Sequence, residues 1–151
     1  MTKRPPPGTE CRMSDLRNPV PIFGHPPSID DIADMAERAL ATMPRRLSKH
    51  VRGVGISVED MPDDETLDDL DIESGWELTG LYRGTPLTER SVMDNARDPD
   101  LIFLYREPIL LEWIETGVDL YSLVRNVVVH EIAHHFGFTD AEIAAIEQEM
   151  E

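Results

Sequence analysis

The residues best suited to chemistry are His130, Glu131 and His134, within the run His130-Glu131-Ile132-Ala133-His134-His135-Phe136-Gly137-Phe138-Thr139-Asp140. Positions i and i+4 of a helix project from one face. His130 and His134 can therefore reach one metal ion, and Glu131, one step round, is placed to act as general base. That is the equipment of metal-assisted hydrolysis. The bland alternative is a surface helix with two solvated histidines. The residues around the motif argue against it, because Leu123, Val124, Val127, Val128 and Ile132 form an apolar stripe at helical spacing. The helix is a core element with its imidazoles at the edge of that core. His135 lies about 100° round the helix from His134, so packing or a hydrogen bond suits it better than the same metal.

A catalytic zinc takes three protein ligands and keeps a fourth position for water. One arrangement draws the third ligand from a Glu on a second helix well downstream, and Glu151 follows His134 too closely for that. The other is H-x-x-G-x-x-[H/D]. Gly137 is suited to end the helix in the left-handed conformation, after which the chain turns back and presents Asp140. A carboxylate oxygen is an acceptable zinc ligand. Asp140 also reads as a helix-start acid. Thr139 with Glu142 forms a capping box for a last helix over 140–150, and the helix dipole favours an acid at its start. The two readings are compatible, and Glu142 and Glu147 are rivals for the third position.

These side chains need elements to hold them. Ser28 with Asp31 resembles a capping box. A helix follows to about Leu47, with Ile32, Met35, Ala36, Leu40 and Met43 on its apolar face, kinked or ended at Pro44. Segments 51–58, 77–82 and 101–105 read as strands. One helical turn fits 65–70, and a short helix fits 109–115, broken near Gly117. The motif helix spans 120–136. Residues 83–100 are polar, contain Pro86 and Pro99, and read as a long loop of the kind that often carries function. The order α-β-β-β-α-α-α is an α+β layout, a small sheet with helices packed on it.

Composition sets the outer limits. The chain has 151 residues and is 40% apolar, which suits one domain with a modest core. A formal net charge of −16 argues against nucleic acid or an anionic membrane as partner. The acids concentrate in 59–77, an ordinary solvated face or loop whose spacing does not fit an EF-hand. Cys11 is the only cysteine, so no intrachain disulfide forms, which fits a reducing compartment. Residues 1–27 lack the apolar stretch of a secretory signal. They contain Pro5, Pro6, Pro7, Pro19, Pro21, Pro26 and Pro27 and read as a flexible Pro-rich tail ahead of a domain over 28–151. No run is long enough for a membrane span. A cytoplasmic protein is the expectation.

Three blocks resemble a family of small bacterial zincin-like metallopeptidases. The first is Gly80-Leu81-Tyr82-Arg83-Gly84-Thr85-Pro86-Leu87-Thr88-Glu89-Arg90-Ser91. The second is Leu101-Ile102-Phe103-Leu104-Tyr105-Arg106-Glu107-Pro108-Ile109. The third is Val124-Arg125-Asn126-Val127-Val128-Val129 leading into the motif. The resemblance spans 28–148 and implies a minimal zincin-like fold: a small mixed β-sheet packed against an active-site helix and flanking helices. It also implies Zn2+ held by His130, His134 and Asp140, with Glu131 as base.

The expected activity is hydrolysis of a peptide bond in a peptide or protein substrate by zinc-activated water, with Glu131 moving the proton. The substrate strand is expected to pair with a sheet edge, for which 101–105 is the candidate. Tyr82, Tyr105 and Tyr121 are of the right type to stabilise an oxyanion, but aromatics mainly serve burial, and none is assigned. Met150, inside the last helix, makes a Met-turn doubtful. The cleft then comes from the 83–100 loop or from a partner protein that completes it. Two other classes compete. A metal-binding regulatory or interaction module would have no use for Glu131. A zinc nuclease would have His as third ligand and a less acidic chain.

Overall fold

The computed structural model describes residues 24–51, 53–84 and 100–151. Of the expected 83–100 loop, residues 85–99 lie outside the described residues, as do residues 1–23 of the expected tail. Helix α1 is Ile29–Ala41 and opens on a complete capping box. The Asp31 amide donates to Ser28 Oγ at 3.1 Å, and the Ser28 amide donates to Asp31 Oδ2 at 2.8 Å. These bonds hold the Asp31 carboxyl below its usual range. The helix ends at Ala41 rather than near Leu47. Pro44 then serves as N-cap of a separate short helix, α2, Arg45–Ser48, because the residue before a proline is driven out of the helical region.

Strand β1 is Gly55–Glu59, shorter than the expected 51–58 segment at its start. Helix α3, Asp64–Asp69, follows, capped by the Asp63 carboxylate on the Thr66 amide at 2.8 Å. A 3₁₀ turn at Gly75–Glu77 takes the beginning of the expected second strand, so β2 is only Gly80–Arg83. Strand β3 is Leu101–Tyr105, and helix α4, Arg106–Thr116, begins directly at its end. Helices α5, Leu120–His135, and α6, Asp140–Glu149, complete the chain. At the other end of the described chain, buried Pro27 is tied to α4, its carbonyl accepting from Arg106 Nε at 2.6 Å.

The sheet order is β1-β3-β2, with β1 parallel and β2 antiparallel to β3. The 101–105 segment is therefore the central strand, bonded on both sides, and cannot be the edge that captures a substrate strand. Its composition explains the place: Ile102, Leu104 and Tyr105 are buried, and a strand covered on both faces reads as an unbroken apolar run. The edges are β1 and β2.

Helix α5 is the axis of the core. Val124, Val128, Val129 and Ile132 are fully buried, each contributing about 1.5–3 kcal/mol by leaving water. α5 packs against α1, β2, α4 and α6, and α1 also covers β1. The architecture is α+β, a small mixed sheet with helices on it. No helix among the described residues is long and apolar enough to cross a membrane.

Candidate functional site

The last turns of α5 carry the motif. Their register is set by the buried valines one and two turns earlier, which fix which face of the helix looks out. His130 and His134 occupy that face with ring centroids 4.5 Å apart at 63°. The helix then stops. Gly137 takes φ +82°, its amide donates to the His134 carbonyl at 3.1 Å, and the Phe138 amide donates to the Ala133 carbonyl at 2.9 Å. This pair of bonds is a Schellman stop, which needs a left-handed residue at this position. His50 stacks on Phe136 at 5.1 Å and meets Phe138 edge-on at 6.3 Å, pinning the turn from the other side.

Helix α6 begins three residues after that glycine. The Thr139 hydroxyl caps it, accepting from the Glu142 amide at 3.2 Å and donating to the Glu142 carboxylate at 3.1 Å. Glu142 is thereby engaged in the cap. Asp140 at the first helical position points back towards α5, with its Oδ1 3.5 Å from His134 Nε2. Two ligands of one tetrahedral zinc, at bonds of about 2.0–2.1 Å, lie roughly 3.3 Å apart. The donor types and this spacing fit a zinc ion. The pair is open to solvent, with side chains 52% exposed at His134 and 90% at Asp140. Among the described residues no three His, Cys, Asp or Glu side chains are gathered into one metal-sized group. His130 shares the face without closing on the pair.

Glu131 has different surroundings. Gly80 on β2 lies so near α5 that a Cβ there would stand 2.7 Å from Val127 Cγ1. That close approach brings β2 alongside the helix. In an antiparallel ladder, bonded pairs alternate. With the Tyr105 amide bonded to the Thr79 carbonyl at 3.0 Å, the backbone groups of Gly80 and Tyr82 point away from β3. The Tyr82 amide is thus directed at α5, where it donates to the Glu131 carboxylate. Burial pushes the Glu131 carboxyl above its usual range, while His134 and the Tyr82 amide pull it partly back.

The Tyr82 ring stacks on His135 at 3.9 Å and its hydroxyl donates to Asp100 Oδ2 at 2.7 Å. His135 accordingly packs against the sheet, on another side of α5 from the two motif histidines. Tyr105 is 2% exposed, and burial raises its hydroxyl's pKa. Tyr121 lies under the Arg38 guanidinium at 4.7 Å.

Sequence reasoning missed two residues close to the motif. Asn126 and Glu112 line a cavity with His130, Glu131 and Glu147. Asn126 was findable, because it precedes His130 by four residues and so shares its face. Glu112 lies on α4, and no spacing rule connects it to the motif.

A long helix laid against a small mixed sheet, with flanking helices, is a zincin-like arrangement. The sequence pattern of the family described as zincin-like metallopeptidase matches residues 51–150, and the chain belongs to that family. No curated protein matches the chain.

Proposed function

We propose that the protein is a zinc-dependent peptidase in which His130, His134 and Asp140 hold the metal and Glu131 is the general base. The observation that carries this reading is the return of Asp140 to within 3.5 Å of His134, directly after the motif. Zinc bound there supplies positive charge that polarises a carbonyl and makes water acidic near neutral pH. Glu131 takes the proton of the attacking water and delivers it to the leaving amine. The Tyr82 amide, fixed by the β2 register, orients that carboxylate.

A metal-binding module without turnover is the second reading. The two separate on purified protein. The peptidase reading expects about one zinc per chain in the wild type and in Glu131→Gln, with cleavage of a broad peptide library by the wild type alone. Metal in both proteins and cleavage by neither supports the module. A wild type that binds no stoichiometric zinc removes both readings.

A further inference from the structure

One ring touches both sides of the turn that separates the motif histidines from Asp140. His50 stacks on Phe136 with ring centroids 5.1 Å apart and planes at 25°, and it meets Phe138 edge-on at 6.3 Å and 74°. Both arrangements are favoured for aromatic pairs. Phe136 is the C-cap of α5, and Phe138 is the first residue after Gly137. Between His134 and Asp140, Gly137 alone lies in the left-handed region, at φ +82°. Rotation about it would swing Asp140 away from His134. The same rotation would pull Phe138 off a ring that stays on Phe136.

His50 is itself held from a distant part of the chain. It follows α2, and its amide donates to the Leu47 carbonyl at 3.0 Å. Leu47 is fully buried in the core that also anchors α5. Phe136 in turn meets Tyr82 edge-on at 6.1 Å, and the Tyr82 amide donates to Glu131. The end of α5 is thus wedged between His50 and β2. A second contact joins α2 to α6, the Arg46–Glu149 ion pair at 2.9 Å. Both of its side chains are about half exposed, and such a pair adds little. It also lies at the end of α6 far from Asp140. The ring contacts are the ones that reach the turn.

We propose that His50 is a positioning residue for the metal site, acting through Phe136 and Phe138 to hold the Gly137 turn closed and keep Asp140 against His134. The flat ring carries this role, not the imidazole nitrogens. The inference rests on the proposed zinc site and names what keeps its third ligand in place.

The test measures zinc affinity by chelator competition on the full chain. His50→Ala is expected to weaken zinc about tenfold, the low end of what outer-shell partners cost. His50→Phe keeps a flat ring and is expected to restore affinity to within about twofold. In an Asp140→Ala background the loss of His50 is expected to cost nothing more, because the ligand it positions is gone. A general structural role would weaken zinc equally in both backgrounds. Hydrogen exchange on the metal-free protein gives a second readout. The Phe138 amide, bonded to the Ala133 carbonyl at 2.9 Å, should exchange faster in His50→Ala and at the wild-type rate in His50→Phe. His50→Gln, which has bulk but no ring, should match His50→Ala and decides the question if that variant does not fold. Unchanged affinity and exchange in His50→Ala overturn the positioning role and leave the metal site. A loss that His50→Phe does not restore assigns the effect to the imidazole nitrogens and overturns it too. A wild type without stoichiometric zinc removes the metal site and the positioning role with it.

Discussion

The two histidines and the aspartate that faces them are held by different means. His130 and His134 ride on α5, whose Val124, Val128, Val129 and Ile132 are fully buried. Their mutual geometry is a property of one helix. Asp140 belongs to the next helix and reaches His134 only because the chain stops, reverses at Gly137 and restarts at Thr139. One half of the site is thus anchored in the core. The other hangs on a turn and a cap, with the Asp140 side chain 90% exposed. The proposed site thus joins a rigid half to a half that is set by local backbone chemistry.

Zinc affinity gives the largest effect on which to test that contrast. His130→Ala is expected to lower it by far more than the roughly 10–100-fold that loss of an outer-shell partner costs. Asp140→Ala is expected to lower it by at least that range. Titration with a competing chelator reads both. An Asp140→Ala effect within a fewfold would confine Asp140 to starting α6 and remove it from the metal.

The turn gives the next effect. A Cβ at Gly137 meets nothing within 4 Å, so Gly137→Ala tests backbone conformation alone. It should destabilise the fold by about 1–2 kcal/mol, the cost of holding a side-chain-bearing residue in the left-handed region. Zinc affinity should also fall as Asp140 loses its position. Denaturant unfolding with and without zinc measures both. Unchanged stability would mean that the Schellman stop is not what holds α6 in place.

The smallest effect concerns Glu131, which belongs to the core-anchored half. Its carboxyl is raised above the usual range by burial. A group with a raised folded-state pKa stabilises fully below its unfolded value, and that contribution is lost as pH rises through the folded value. Glu131→Gln should therefore flatten the fall in stability over that window and leave the metal-free protein somewhat more stable than wild type above it. Parallel wild-type and variant curves in thermal melts across mildly acidic to neutral pH would show that Glu131 is not buried in solution.

Much of this was readable from residue order. The Ser28–Asp31 box, the helical stripe leading into the motif, the glycine stop and the Thr139 start are local patterns, and each formed where its residues required. The strands were harder. The expected 77–82 segment lost its start to a 3₁₀ turn, because Ser74 caps the turn by accepting from the Trp76 amide. The edge assignment of 101–105 failed for another reason. An apolar five-residue run states that a strand is buried, but not which neighbours lie beside it. Glu112 stayed invisible because α4 meets α5 only in three dimensions.

The sequence by itself determined which residues the proposed metal site draws on. The i, i+4 spacing of His130 and His134, the adjacent Glu131, and the glycine three residues before Asp140 are consequences of helix and turn geometry that need no knowledge of the rest of the chain. Only the tertiary structure decided what surrounds that chemistry. The Gly80–Val127 approach carries the Tyr82 amide to Glu131, β2 rather than β3 becomes the edge, and Glu112 and Glu147 converge on one cavity. These depend on packing between elements distant in the chain, and such contacts follow from complementary shape and burial rather than from any local repeat.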